Sequence, residues 1–110
     1  MKWIALTDEQ QLNSLKELSN NKAQLIFKHS TRCAISSMAK NRLERSAEND
    51  SIDFYYLDLV KHRQLSNKIA EDFGVYHESP QVLLIKNGQC IYDESHGGIQ
   101  MEEIVDHSTT

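Results

Sequence analysis

The sequence predicts an α/β domain in which a small mixed sheet lies between two layers of helices. Three observations lead there. Short apolar runs of strand length alternate with stretches whose apolar residues recur at helical spacing. One of those runs, Leu25-Ile26-Phe27, is apolar on both faces, as a central strand covered from both sides would be. Near the end, Asn87-Gly88 stands between two further strand-like runs, the strongest short-range signal for a hairpin.

Taken in order, Trp3-Ile4-Ala5-Leu6 forms the first strand. Thr7 opens a capping box, with Gln10 placed to reach back to the cap. Leu12, Leu15 and Leu18 make the stripe of the first helix, and Asn20-Asn21 stops it. The central strand at Leu25 to Phe27 leads into Ser30-Thr31-Arg32-Cys33. Ile35, Met38, Ala39, Leu43 and Ala47 predict an amphipathic helix that begins at or just before Cys33. The run IDFYYLDL, 52–59, is rich in aromatic and branched residues and reads as the third strand. Leu65, Ile69, Ala70 and Phe73 form the next helical stripe, closed by Gly74 as a left-handed cap. The hairpin strands follow as Gln81 to Lys86 and Gln89 to Asp93. A short amphipathic helix with Met101, Ile104 and Val105 ends the chain. The order β-α-β-α-β-α-β-β-α implies parallel strands joined by right-handed crossovers, with an antiparallel pair added at the end. Ligands in such folds gather beyond the carboxyl ends of the parallel strands. Cys33 is there.

The 110 residues suit one domain spanning 1–110, with a single core. A net charge of −4 argues against nucleic acid or an anionic membrane as partner, because both call for a basic face. No apolar run approaches the ~20 residues of a membrane helix, and MKWIALTDEQ lacks the apolar core of a signal peptide. Two cysteines are too few for a disulfide framework and fit a reducing compartment, so the cytoplasm is expected.

Cys33 admits two readings. Free cysteine is often a small buried filler. A thiol at a helix start, however, faces unpaired N–H groups and the positive end of the helix dipole, and Arg32 beside it adds a charge. Those are the factors that lower a thiol pKa and make it reactive. The neighbours Ser30, Thr31, Ser36 and Ser37 are polar, which favours the reactive thiol over a core filler.

The segments KHSTRCAIS (28–36), HESPQ (77–81) and SH (95–96), in that order, resemble the YtxJ family of monothiol bacilliredoxins. The resemblance runs from Trp3 to about His107 and implies a thioredoxin-like fold with strand order 1-3-2-4-5. It also implies a thiol-disulfide oxidoreductase that frees proteins from mixed disulfides with bacillithiol, a small thiol that serves as co-substrate. No tightly bound cofactor or metal is expected. The implied partners are bacillithiolated proteins and a recycling reductase, with the enzyme a monomer. Cys33 becomes the nucleophile, and Ser36 stands where thioredoxins carry a second cysteine. Its hydroxyl is a candidate donor to the thiolate, or else a helix-surface serine. Phe27 stands where thioredoxins tend to have a buried carboxylate, and Ala34 where this family is expected to have proline. Pro80 is the implied cis residue, turning the Ser79 backbone toward a substrate strand. Thr31 joins Ser79 and Pro80 as the substrate-binding set.

Two histidines belong near this site. His29, four residues before Cys33, is either a proton shuttle or charge for the thiolate, or a residue capping a strand end. His96 is placed by the hairpin register. With a two-residue turn, paired numbers sum to 175, so Ile85 faces Cys90, Leu83 faces Tyr92 and Ser79 faces His96; a bulge after Asp93 would shift this by one. His96 would then return to the level of Ser79-Pro80, as a proton donor or as a residue bonding a loop carbonyl. Cys90 falls near the turn, about 20 Å along the strand from Pro80. It is expected to be a packing residue. His62 and His107 are expected at the surface, and Asp50, Asp53 and Asp58 as solvated positions. Two other functions fit the same fold: a peptide-docking module without exchange chemistry, and an iron–sulfur carrier, which Ala34-Ile35 suits less well than glycines would.

Overall fold

The computed structural model describes residues 1–46 and 49–109. Five strands, β1 (Trp3–Ala5), β2 (Ala23–His29), β3 (Ile52–Asp58), β4 (Gln81–Lys86) and β5 (Gln89–Ser95), form one sheet in the order β1-β3-β2-β4-β5. β1 and β2 both run parallel to β3, whereas β4 is antiparallel to β2 and to β5. Four helices complete the chain: α1 (Glu9–Leu18), α2 (Ala34–Glu44), α3 (Arg63–Phe73) and α4 (Met101–Ser108).

Every residue of β2 is buried, because the strand has a helical layer on each face. Leu25 and Phe27 point toward α2 and α4, where they pack with Ala39, Leu43, Met101 and Ile104. Ile26 points the other way, toward Leu12 and Leu15 of α1 and Ile69 of α3. The side chains alternate as the pleat requires. Burying one such aliphatic side chain stabilises the fold by roughly 1.5–3 kcal/mol.

Several helical details differ from the sequence expectation. The N-cap of α1 is Asp8, not Thr7: its carboxylate accepts from Gln11 N–H at 2.8 Å, while Gln11 Oε1 accepts from Thr7 N–H at 2.9 Å. The cap sits one residue later than expected, with the return bond from Gln11 going to Thr7 rather than to the cap's own N–H, because Asp8 caps as well as threonine and supplies a charge. Leu18 is exposed, and Ser19 is buried in its place, where its hydroxyl and carbonyl hold Gly88 N–H at 2.8 Å and Asn87 N–H at 2.9 Å. In α2 the buried stripe is Ser36, Ala39 and Leu43, whereas Ile35 and Met38 are 56% and 63% exposed. Ala47 lies outside the described residues.

Gly74 takes φ +64° as the C-terminal cap of α3. Asn87 and Gly88 take φ +54° and +74°, the pair of positive values of a type I′ turn. The register from that turn holds for Lys86–Gln89 and Ile85–Cys90, then shifts at a bulge between Leu84 and Ile85. Leu83 therefore faces Asp93, not Tyr92, and Leu84 takes Tyr92.

Candidate functional site

Cys33 is the N-cap of α2, with extended backbone (φ −114°, ψ 120°) and a partly exposed side chain. Its N–H donates to Ser30 O at 3.1 Å and its carbonyl accepts from Ser37 N–H at 3.1 Å, so the backbone is fixed on both sides. The sulfur makes no capping bond to the first turn. Thr31, Arg32 and Ala34 are exposed around it. Ile35 and Met38, expected in the core, instead form an apolar rim on the outer face of α2.

Ser36 is fully buried, and its bonds differ from the expectation of a donor to the thiolate. Among the described residues its hydroxyl meets His29 Nδ1 at 2.7 Å and accepts from Ser30 N–H at 3.0 Å. His29 is 7% exposed, stacked on Phe27 with ring centroids 5.6 Å apart. Burial pushes the His29 pKa below its usual 6.5, and Lys40 adds to the effect. Through Ser36 the His29 ring is tied to the loop at Ser30.

The second wall is Ser79-Pro80, whose peptide bond is cis, together with the segment after β5. His96 N–H donates to Pro80 O at 3.0 Å. The bulge changes the expected neighbour by one residue, from Ser79 to Pro80, and leaves His96 at the expected level. Its ring is half exposed, with Nε2 3.6 Å from Glu78 Oε2. Arg42 of α2 reaches across to this segment, donating from Nε to Ile99 O at 2.9 Å and from Nη2 to His96 O at 3.2 Å. The Ser79 hydroxyl oxygen is buried and has no hydrogen-bond partner among the described residues.

Cys90 lies at the other end of the hairpin, paired with Ile85 two residues from the turn. Burial pushes its thiol up to about 11, and its Sγ lies 3.3 Å from Tyr92 O. His62 is the partly buried N-cap of α3, and His107 is partly buried with its ring 4.0 Å from that of Tyr92, so neither is simply a surface residue. Asp53 accepts from Gln24 and pairs with Lys22, and Asp58 accepts from Val60 and Lys61 N–H.

Sequence reasoning missed a buried polar cluster on the other face of β2. Lys28 is 0% exposed, with Nζ 3.2 Å from both Ser66 O and His77 Nδ1. The signal was a lysine directly after the apolar run Leu25-Ile26-Phe27 of the central strand. It also missed Gln81, whose Nε2 donates to Tyr76 O at 2.8 Å. Cavities of about 640 and 560 Å³ lie at the start of α3 and beside β1, and neither is lined by Cys33.

A model of the family described as monothiol bacilliredoxin BrxC matches residues 4–104. Among solved structures, one assigned as an oxidoreductase with a thioredoxin fold is 30% identical, with a TM-score of 0.83 over 96% of this chain and 92% of that one. Thioredoxins from Schistosoma mansoni (22% identical, TM-score 0.76, 98% of this chain and 94% of that one) and Malassezia sympodialis (18%, 0.78, 98% and 91%) share the fold.

Proposed function

The chain belongs to the monothiol bacilliredoxin family, and on that premise we propose that it removes bacillithiol, or a similar small thiol, from protein mixed disulfides by exchange at Cys33. The family and the fold support the broader role of thiol oxidoreductase. The observation that carries the finer reading is a partly exposed Cys33 at the first turn of α2, with a buried serine, Ser36, one turn later.

The Cys33 thiolate attacks the small-thiol sulfur of the mixed disulfide. The bond to the protein sulfur breaks, and that sulfur leaves as a thiolate. One disulfide replaces another, so this step has no net oxidation. Cys33 is left bonded to the small thiol. A second small thiol, or a partner reductase, attacks that bond, is itself oxidised, and restores Cys33. Ser36 carries no sulfur for this step, and the half-buried Cys90 is held at the far end of the hairpin. The substrate chain pairs as a short extra strand with the backbone at Ser79, beside Thr31 and Arg32. Arg32 attracts the thiolate, and the His96 ring stands ready to hand a proton to the departing sulfur. The enzyme works as a monomer in the cytoplasm.

Intact-protein mass spectrometry after incubation with bacillithiol and glutathione mixed disulfides tests the reading. Wild-type protein and Cys90→Ser should each gain one small thiol, and Cys33→Ser none. A Cys33–Cys90 disulfide in the oxidised monomer would overturn the single-thiol mechanism. Peptide binding with an inert Cys33 would favour a docking module, and a coloured, iron-containing protein a cluster carrier.

A further inference from the structure

Lys28 has no obvious reason to be where it is. It is fully enclosed between β2 and α3, and no carboxylate pairs with it among the described residues. A buried ammonium is costly unless its donors are used. Here they are used on Ser66 O, at 3.2 Å, and on His77 Nδ1, at 3.2 Å. The Ser66 hydroxyl lies 3.3 Å from the same nitrogen. An ammonium can only donate, so Nδ1 accepts and the His77 proton sits on Nε2. Burial, Lys28 and Arg63 all push the His77 pKa down, in keeping with a neutral ring.

His77 matters because of where it stands. The segment from Val75 to Pro80 has no regular secondary structure, yet it carries the Ser79 edge. Its described ties are Val75 N–H to Ala70 O at 3.0 Å, two contacts with the Gln81 side chain, His96 to Glu78 and to Pro80 O, and His77 to Ser66 Oγ and to Lys28. The lysine is the one tie that reaches this segment from the central strand, five residues before the nucleophile.

We propose that Lys28 is a positioning residue: from inside the sheet it holds His77 and so fixes the segment that presents Ser79-Pro80 to the substrate chain. The proposal rests on the exchange reading for what that edge does, but not for whether the edge is held. Lys28→Met keeps the apolar volume and removes the donors, and His77→Leu removes the acceptor. His77→Gln keeps an oxygen acceptor.

Three readouts decide the matter. With a peptide joined to bacillithiol by a disulfide, Lys28→Met and His77→Leu should each raise KM about tenfold with little change in kcat, the scale of one lost bond to a charged group. The double variant should fall well short of the sum of the two single ones, because both remove the contact between Lys28 and His77, and His77→Gln should recover most of the loss. Backbone amide exchange across 75–79 should quicken at least tenfold in Lys28→Met and His77→Leu, whether or not the protein exchanges disulfides. Unchanged amide protection there, or additive effects in the double variant, overturns the proposal. If Lys28→Met does not fold, the His77 pair decides it through the same readouts. Should wild-type protein exchange no mixed disulfide, the functional reading falls while amide exchange still judges Lys28.

Discussion

Replacing Ser36 with alanine separates two roles for this hydroxyl. The side chain is fully buried and makes two bonds, to His29 Nδ1 at 2.7 Å and from Ser30 N–H at 3.0 Å. Alanine fits the space but leaves both partners without their bond in a place water does not reach. Each lost bond costs about 1 kcal/mol, so Ser36→Ala should lose about 2 kcal/mol. In a domain of this size that lowers Tm by about 10 °C. Urea unfolding followed by the fluorescence of Trp3 measures it, since this single tryptophan stacks on Phe27 and donates to Glu44 of α2 at 2.7 Å. Because the hydroxyl serves His29 and the loop, the pH midpoint for alkylation of Cys33 should not move. A loss below about 0.5 kcal/mol would refute the two-bond account. A higher alkylation midpoint would refute the assignment of the hydroxyl to His29, and would return it to the sulfur.

Two further outcomes follow from charge. Arg32→Glu replaces an attractive neighbour of the thiolate with a repulsive one, so alkylation of Cys33 near neutral pH should slow, by less at high salt; an unchanged pH–rate curve at low salt would refute the role given to Arg32. His29 and His77 both have folded-state pKa values below the ordinary 6.5, largely through burial. The unfolded chain therefore binds more protons than the folded one as pH falls past about 6.5, and stability present above that point is lost through the folded values. The urea midpoint should drop between about pH 7 and pH 5, and His29→Gln should reduce the drop; a flat profile would contradict the lowered pKa of both histidines.

Much of the fold was legible because periodicity is a property of the apolar residues themselves. The alternation in β2, the type I′ turn at Asn87-Gly88 and the cap at Gly74 each follow from a residue that permits few alternatives. The errors share one cause. In α1 and α2 a small serine, Ser19 or Ser36, occupies the buried stripe while a larger apolar neighbour, Leu18, Ile35 or Met38, faces outward. A serine can enter a core when the fold brings it partners, and those partners, Gly88 for Ser19 and His29 for Ser36, are distant in sequence or on another element. Likewise the level of His96 could be read from the turn, but the bulge at Leu84/Ile85 could not, since no glycine marks it. Lys28 escaped notice because its acceptor, His77, is 49 residues away.

The two cations that approach the Ser79-Pro80 edge come from opposite layers. Lys28 reaches His77, before the proline, from the α3 side. Arg42 reaches the carbonyls of His96 and Ile99 from α2, and His96 N–H holds Pro80 O. Both direct their donors onto the segments flanking Pro80. A cation whose donors are used on backbone or imidazole acceptors fixes geometry without neutralising a neighbouring anion. The sulfur of Cys33, by contrast, has a fixed backbone and makes no capping bond. This division suits an exchange that needs a steady edge to hold the substrate chain and a sulfur free to change partners. A second thiol at position 36 would displace the hydroxyl that ties His29 to the loop, so a serine there both removes the resolving sulfur and keeps the loop in place.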